Sequence, residues 1–228
     1  MKVTQLNYGP DIGNTFVLGE EGEACLVFDL GYNKDHRVEN YCKRHHPFIA
    51  GIFLTHGHYD HIAGLNDLDL DPNTRVIIHR DEEDFLYDER LNGSVGLFGH
   101  PFKLTKELPL YFAEDEDEIF LGGKSYTDEN GEKKTVGGYL VRVIHTPYHT
   151  VGGCCYYLPE EGVLFAGDSL FLHSIGRSDL PGAMPRAFQT SMKKLMKLPE
   201  NTKVYCGHGP STTIGEELRY NPYLHEVQ

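Results

Sequence analysis

The chain is 228 residues long, which suits one domain or a fused pair, able to bury roughly 70–75% of its unfolded surface in a self-sufficient core. Its 34 acidic and 21 basic residues leave a formal charge of −13, which repels phosphate backbones and argues against nucleic acid or an anionic membrane surface as partner. The longest apolar run, Phe48 to Leu54, is far short of the ~20 residues of a membrane helix, and Met1-Lys2-Val3-Thr4-Gln5 opens no secretion signal. Five cysteines with no C-x-x-C pair point to a reducing, cytoplasmic compartment. Beside them stand 13 histidines and 25 glycines, an excess of ligand-type side chains and of turn residues.

Val3 to Asn7, Thr15 to Leu18 and Ala24 to Asp29 are β-rich stretches parted by Gly/Pro/Asp breakers, the pattern of an antiparallel meander. Asn33 to His46 is polar with Val38, Tyr41 and Cys42 at helical spacing, and Ile49 to Leu54 reads as a fully buried strand. A helix from about Tyr59 to Asn66 precedes a β-branched strand, Arg75 to His79, and a short acidic helix, Asp81 to Asp88. This alternation predicts a layered α/β (α+β) fold. The least regular stretch, Asn92 to Gly138, is a candidate lid. It holds the carboxylates Glu114 to Glu118, expected to be hydrated, and the turn Asp128-Glu129-Asn130-Gly131 between two potential hairpin strands. Tyr139 to Ile144, Cys154 to Leu158 and Val163 to Ala166 are strand-like. Pro185 to Leu198 is the clearest helix, with Phe188, Met192, Leu195 and Met196 on one core-facing side. No repeat or linker divides the sequence, so a single domain over 1–228 is expected.

Directly after the buried strand comes Thr55-His56-Gly57-His58-Tyr59-Asp60-His61, four candidate metal ligands where a strand meets a helix. Residues i and i+2 of an extended turn project the same way, so His56 and His58 can grip one cation while Asp60 and His61, entering the helix, turn toward a second. Three later segments repeat the form of a β-rich run ending in a Gly/Pro turn with a lone ligand type: Val141 to Thr150, Val163 to Ser169 and Val204 to Gly209. Ligands at strand ends converge on one edge of a sheet.

This H-x-H-x-D-H loop, followed by His149, Asp168 and His208 in that order, resembles the metallo-β-lactamase superfamily over most of the chain. Gly167 to Phe171, Gly176 to Gly182 and Gly207 to Glu217 are similar to short bacterial glyoxalase II-like proteins, the hydroxyacylglutathione hydrolase branch. The resemblance implies an αββα sandwich with the metals at one edge. Matched residue by residue, it places His56, His58 and His149 on metal one, Asp60, His61 and His208 on metal two, and Asp168 as the bridge. Thr146-Pro147-Tyr148-His149-Thr150 departs from the family's T-P-G-H-T, and the ring beside the ligand either restricts the backbone or shapes the pocket. Because 20 residues follow His208, the C-terminal helical domain that contacts glutathione in longer glyoxalase II enzymes is expected to be missing. His145 is expected to pack or support, and His36, His45, His46, His79, His100 and His225 to be structural, while His173 is expected near the pocket.

Two divalent cations ~3.5–4 Å apart lower the pKa of a bridging water to about 7. Metal one would take up the oxyanion and metal two the departing thiolate or alkoxide, with Asp60 orienting or deprotonating the water. Zinc suits the His/Asp set, and iron and manganese accept the same ligands. Arg177 is a candidate clamp for a substrate carboxylate, the plain alternative being a salt bridge to Asp179. The resemblance selects a small-molecule thioester of the S-lactoylglutathione kind as substrate. A lactonase or phosphodiesterase would use the same hydroxide, and β-lactam hydrolysis is disfavoured because those relatives lack an aspartate matching Asp168. Mono-iron persulfide dioxygenases share the scaffold and bind through the equivalents of His56, His149 and Asp168. A scaffold protein without turnover typically loses ligands, whereas this chain keeps all seven.

Overall fold

The computed structural model describes residues 2–6, 12–71, 74–127, 131 and 133–227. The expected strand residue Asn7 and the turn residues 128–130 lie outside that set. Two six-stranded sheets face each other. The first runs β1 (Val3–Leu6), β2 (Thr15–Leu18), β3 (Cys25–Phe28), β4 (Ile49–Phe53), β5 (Arg75–His79) and β6 (Leu110–Ala113) in sequence order. Its first three strands form the antiparallel meander, and β3 to β6 are parallel. Before the second sheet is completed come β7 (Glu118–Leu121), the hairpin β8 (Lys124–Thr127) and β9 (Lys133–Val136), β10 (Tyr139–His145), β11 (Cys154–Leu158) and β12 (Val163–Gly167). With β13 (Lys203–Cys206) and β14 (Thr212–Thr213) the order across that sheet is β14-β13-β12-β11-β10-β7.

Alternation along the strands builds three apolar layers. Leu26 and Phe28 of β3 point inward to meet Val141, Val143 and Phe165 of the second sheet, and the Phe28 and Phe165 rings stack with centroids 3.6 Å apart. Cys25 and Val27 point outward, under Val38 and Cys42 of α1 (Arg37–His45) and Ile62 of α2 (Tyr59–Ile62). On the far side Cys155, Leu164 and Val204 pack under Met192 and Leu195 of α3 (Phe188–Leu195) and Ile214 of α4 (Ile214–Tyr220). The result is the αββα sandwich, and it explains why central strands covered on both faces read as near-continuous apolar runs. No helix among the described residues is long and apolar enough to cross a membrane.

Several helices are shorter than their sequence patterns. The expected helix 33–46 opens with a 3-10 turn, Lys34–His36, because Asp35 and His36 take left-handed φ of 58° and 54°. The expected helix 59–66 becomes 3-10 at Ala63–Asp67, where Gly64 lies so close to Asn33 that an added Cβ would sit 2.8 Å from its Cβ. The acidic segment is a 3-10 helix, Arg80–Leu86, and Pro185–Ala187 is a 3-10 entry to α3. The stretch 92–138 contains four strands, β6 to β9, and its carboxylates Glu114, Asp115 and Glu116 are exposed in the link between the two sheets.

Candidate metal centre

The strands β4, β10, β12 and β13 end on the same edge, and each delivers ligands in the turn that follows. After β4, His56 and His58 leave an extended segment and Asp60 and His61 occupy the first turn of α2. His149 sits in the turn between β10 and β11, Asp168 follows β12, and His208 follows β13. At this edge three groups bring their ligand atoms within 4.8 Å of one another, His56, His58 and His149; His56, His61 and Asp168; and Asp60, His61 and His208, and a fourth group of His79, Asp81 and His145 includes none of these residues. All seven residues singled out in the sequence therefore meet, with His56 and His61 joining the first and last groups through Asp168.

Individual contacts fix how each ring faces. His58 Nδ1 lies 2.9 Å from His149 Nε2, while His149 Nδ1 is held 2.6 Å from the Arg177 carbonyl, so its Nε2 lone pair faces the cluster. His61 Nδ1 is 2.8 Å from Asp29 Oδ2, which turns its Nε2 toward Asp168 Oδ1 at 3.4 Å, Asp60 Oδ2 at 3.6 Å and His208 Nε2 at 3.4 Å. His208 Nε2 lies 2.9 Å from Asp60 Oδ2, and Asp168 Oδ2 is 3.5 Å from His149 Nε2. Glycines permit this crowding. A Cβ on Gly207 would lie 2.2 Å from Asp168 Oδ1, and one on Gly31 would overlap the Asp60 carbonyl.

The protons divide by position. Burial, then the neighbouring imidazoles, hold His56 well below the usual histidine range and bring His58 down to about 3. Burial opposes charge on His61 too, but Asp29, Asp60 and Asp168 outweigh it and raise its pKa well above normal. His208 is raised in the same way by Asp60 and Asp168 against burial. The Asp168 carboxyl is held well below the carboxylate range despite burial, chiefly by His61, and Asp60 is lowered by His61 and His208.

Whether a cation fits is decided by unpaired atoms. His56 Nε2, His58 Nε2 and Asp168 Oδ1 are buried and have no hydrogen-bond partner among the described residues. Each such group costs roughly 1–3 kcal/mol when left unmet. The neutral imidazoles of His56 and His58 beside the ionised carboxyls of Asp60 and Asp168 are donors that suit a borderline divalent cation, and a cation binding at His61 and His208 would displace their protons, so the residues fit the metals they suggest. Above them opens a cavity of about 400 Å³, with Leu97, Phe98, Phe171 and Leu180 as its apolar lining and Arg177 beside His58, His149 and His208.

Arg177 thus reaches the cavity, and its guanidinium also makes the bidentate pair with Asp179, at 2.6 and 2.8 Å. The Tyr148 ring does not line the cavity. It is buried against Phe188 and its hydroxyl donates to the Ser169 carbonyl at 2.7 Å, so it packs the core beside the Asp168 turn. His173 pairs with Glu216 at 2.8 Å and is not among the cavity residues. His145 stacks face to face on His79, centroids 4.1 Å apart and planes 13° from parallel, and its Nε2 lies 2.9 Å from the Val151 carbonyl. Sequence reasoning missed Asp29, whose carboxylate accepts from the Thr55 amide (2.7 Å) and hydroxyl (2.9 Å) besides orienting His61. Its signal was an acidic residue closing an apolar strand just before Leu30-Gly31.

The family model of the metallo-β-lactamase superfamily matches residues 8–208. The chain is similar to the probable metallo-hydrolase YqgX of Bacillus subtilis, with 32% identity over 98% of each chain. It is 29% identical to Glyoxylase B2 of Dictyostelium discoideum over 93% of this chain and 74% of that one. Among solved structures it is similar to the B3 metallo-beta-lactamase BLEG-1, with 34% identity, TM-score 0.81 and coverage of 98% and 99%. It is also similar to TTHA1623 in a di-iron-bound form, with 30% identity, TM-score 0.74 and coverage of 96% and 99%. Ligands at the strand ends of an αββα sandwich and a family match spanning residues 8–208 agree, and the chain belongs to the metallo-β-lactamase superfamily.

Proposed function

We propose that the protein is a dinuclear metal-dependent hydrolase, acting on small thioesters of the S-lactoylglutathione kind, with one domain over 1–228 carrying the activity. The observation that carries this reading is the convergence of seven ligand-type side chains, of which His56 Nε2, His58 Nε2 and Asp168 Oδ1 are buried without a hydrogen-bond partner among the described residues. The likeness to a probable metallo-hydrolase supports hydrolysis, and the likeness to Glyoxylase B2 supports the thioester. His56, His58 and His149 would hold the first cation, Asp60, His61 and His208 the second, with Asp168 between them. Zinc is the proposed metal, and the likeness to a protein solved with two irons makes iron the comparison to run.

Bound there, a divalent pair supplies hydroxide at neutral pH and positive charge for a developing oxyanion. The protein does the rest. Asp60 faces the cavity with its carboxyl held in the ionised form, so it accepts the hydrogen bond that orients an attacking water. Arg177 clamps a substrate carboxylate by exchanging it for Asp179, a partner that solvent and salt loosen because the pair is exposed. Leu97, Phe98, Phe171 and Leu180 exclude water from the acyl group. Five free, buried cysteines support the cytoplasm as its compartment.

A second reading is β-lactam hydrolysis, favoured by the 34% identity to BLEG-1 over almost all of both chains. Purified protein with measured metal content, assayed on S-lactoylglutathione, a homoserine lactone, a cephalosporin, a phosphodiester and glutathione persulfide, separates the classes. We expect about two metal equivalents and fastest turnover of the thioester. His208→Ala should empty the second site and lower thioesterase activity by about 10²–10³-fold with the fold intact. Full thioester hydrolysis by that variant would overturn the two-metal mechanism, whereas one equivalent after excess zinc together with oxygen uptake on persulfide would replace the hydrolase by the mono-iron dioxygenase.

A further inference from the structure

Away from the cations, one buried carboxylate touches both halves of the histidine site. Glu82 lies in the 3-10 helix that follows β5 and is fully buried. Its Oε2 accepts from the Gly57 amide at 2.6 Å, and its Oε1 accepts from the Gly152 amide at 2.7 Å. Gly57 stands between His56 and His58 in the loop after β4, whereas Gly152 stands in the β10–β11 turn, three residues after His149. The two loops belong to different sheets, and a single side chain of the first sheet joins them at the ligand edge.

Both glycines are shaped to this carboxylate. A Cβ on Gly57 would sit 3.0 Å from Glu82 Oε2 and 2.3 Å from Phe85 Cβ, and one on Gly152 would sit 2.8 Å from Glu82 Cγ. Amide-to-carboxylate contacts this short are the charge-assisted kind, about twice as strong as neutral ones. Glu82 forms no ion pair among the described residues, and burial pushes its pKa up to about 7 against the pull of the Thr150 hydroxyl and of the two amides. A carboxylate kept at that disadvantage has two amides to satisfy, and both lie in ligand loops.

We propose that Glu82 is the positioning residue of the three-histidine site: by receiving the Gly57 and Gly152 amides on its two oxygens it sets the His58 to His149 separation that admits a cation. The inference rests on the metal-centre reading above. Glutamine has the same shape but presents an NH2 group to one of the two amides, so Glu82→Gln breaks one contact without opening a cavity.

The test titrates metal-free wild type and Glu82→Gln with zinc against a competing chelator, and follows the Gly57 and Gly152 amide resonances by NMR. In wild type both amide protons should resonate downfield, as short bonds to a carboxylate require. That measurement needs no variant, so it stands even if the variant fails to fold. In Glu82→Gln one of them should move upfield and zinc affinity for the first equivalent should fall about 10–100-fold, the effect of removing a group that orients a ligand. The second equivalent should be weakened less. Unchanged affinity for both equivalents, or ordinary amide shifts in wild type, overturns the role of Glu82 while leaving a two-zinc protein. Wild type that binds no zinc overturns the metal reading itself.

Discussion

Asp29 shows how much a single side chain can carry. It adopts a left-handed backbone, φ 57°, at the end of β3, and that bend aims one carboxylate at the Thr55 amide, the Thr55 hydroxyl and His61 Nδ1. Asparagine tolerates the same backbone, so Asp29→Asn should fold. It loses the charge that fixes the His61 tautomer, and chelator competition should show the second zinc equivalent bound about 10–100-fold more weakly. Equal affinity would mean that the ring is oriented by packing alone. The ligands were legible in sequence because imidazole and carboxylate declare their chemistry residue by residue. Asp29 was not, since an acid at a strand end reads as a breaker, and Glu82 was not, since it sits among Asp81, Glu83 and Asp84 and reads as hydrated surface. Only the fold turns Glu82 inward, where Phe85 and Leu86 are also buried.

Among the elements, the short turns after strands are where side-chain volume decides chemistry. Gly207, directly after β13, lies against two ligands, its absent Cβ being 2.2 Å from Asp168 Oδ1 and 2.8 Å from His61 Cε1. Gly207→Ala should push the bridging carboxylate out of place, dropping metal content below two equivalents by elemental analysis while far-ultraviolet dichroism stays that of the wild type. Two full equivalents would show that the turn can yield. The same turns explain which elements the sequence revealed. β5 and β11 match their apolar runs to the residue, since strands buried on both faces need no partner to be recognised. β6 and β7 were hidden because only one residue of each is buried, Ala113 in β6 and Ile119 in β7, and the exposed carboxylates between them dominate the pattern. The helices fell short of their periodicity where a left-handed residue or a close glycine forced a 3-10 turn, a tertiary constraint that local spacing does not encode.

For the molecule as a whole, the layered architecture followed from alternating strands and helices, whereas the pairing of Phe28 with Phe165 across the sandwich needed coordinates. The same layers enclose all five cysteines. Burial pushes the thiol of Cys155 up to about 11 and that of Cys206 to about 12, so neither offers thiolate at neutral pH. A chromogenic disulfide reagent should therefore find no reactive thiol in the native protein and five after denaturation. Rapid reaction of one or more in the native state would mean that a layer opens on the timescale of the assay.

The exposed acidic link between β6 and β7 divides the chain in a second sense. Everything before it builds the first sheet, and everything after it builds the second sheet and the small hairpin. The ligands divide at the same place, with His56, His58, Asp60 and His61 on one side and His149, Asp168 and His208 on the other. Neither half can complete either three-residue site, since the first lacks His149 and His208 and the second lacks His56, His58, Asp60 and His61. Cation capture is therefore a signature of the docked sandwich, and two polypeptides severed at this link would regain it only by complementing one another.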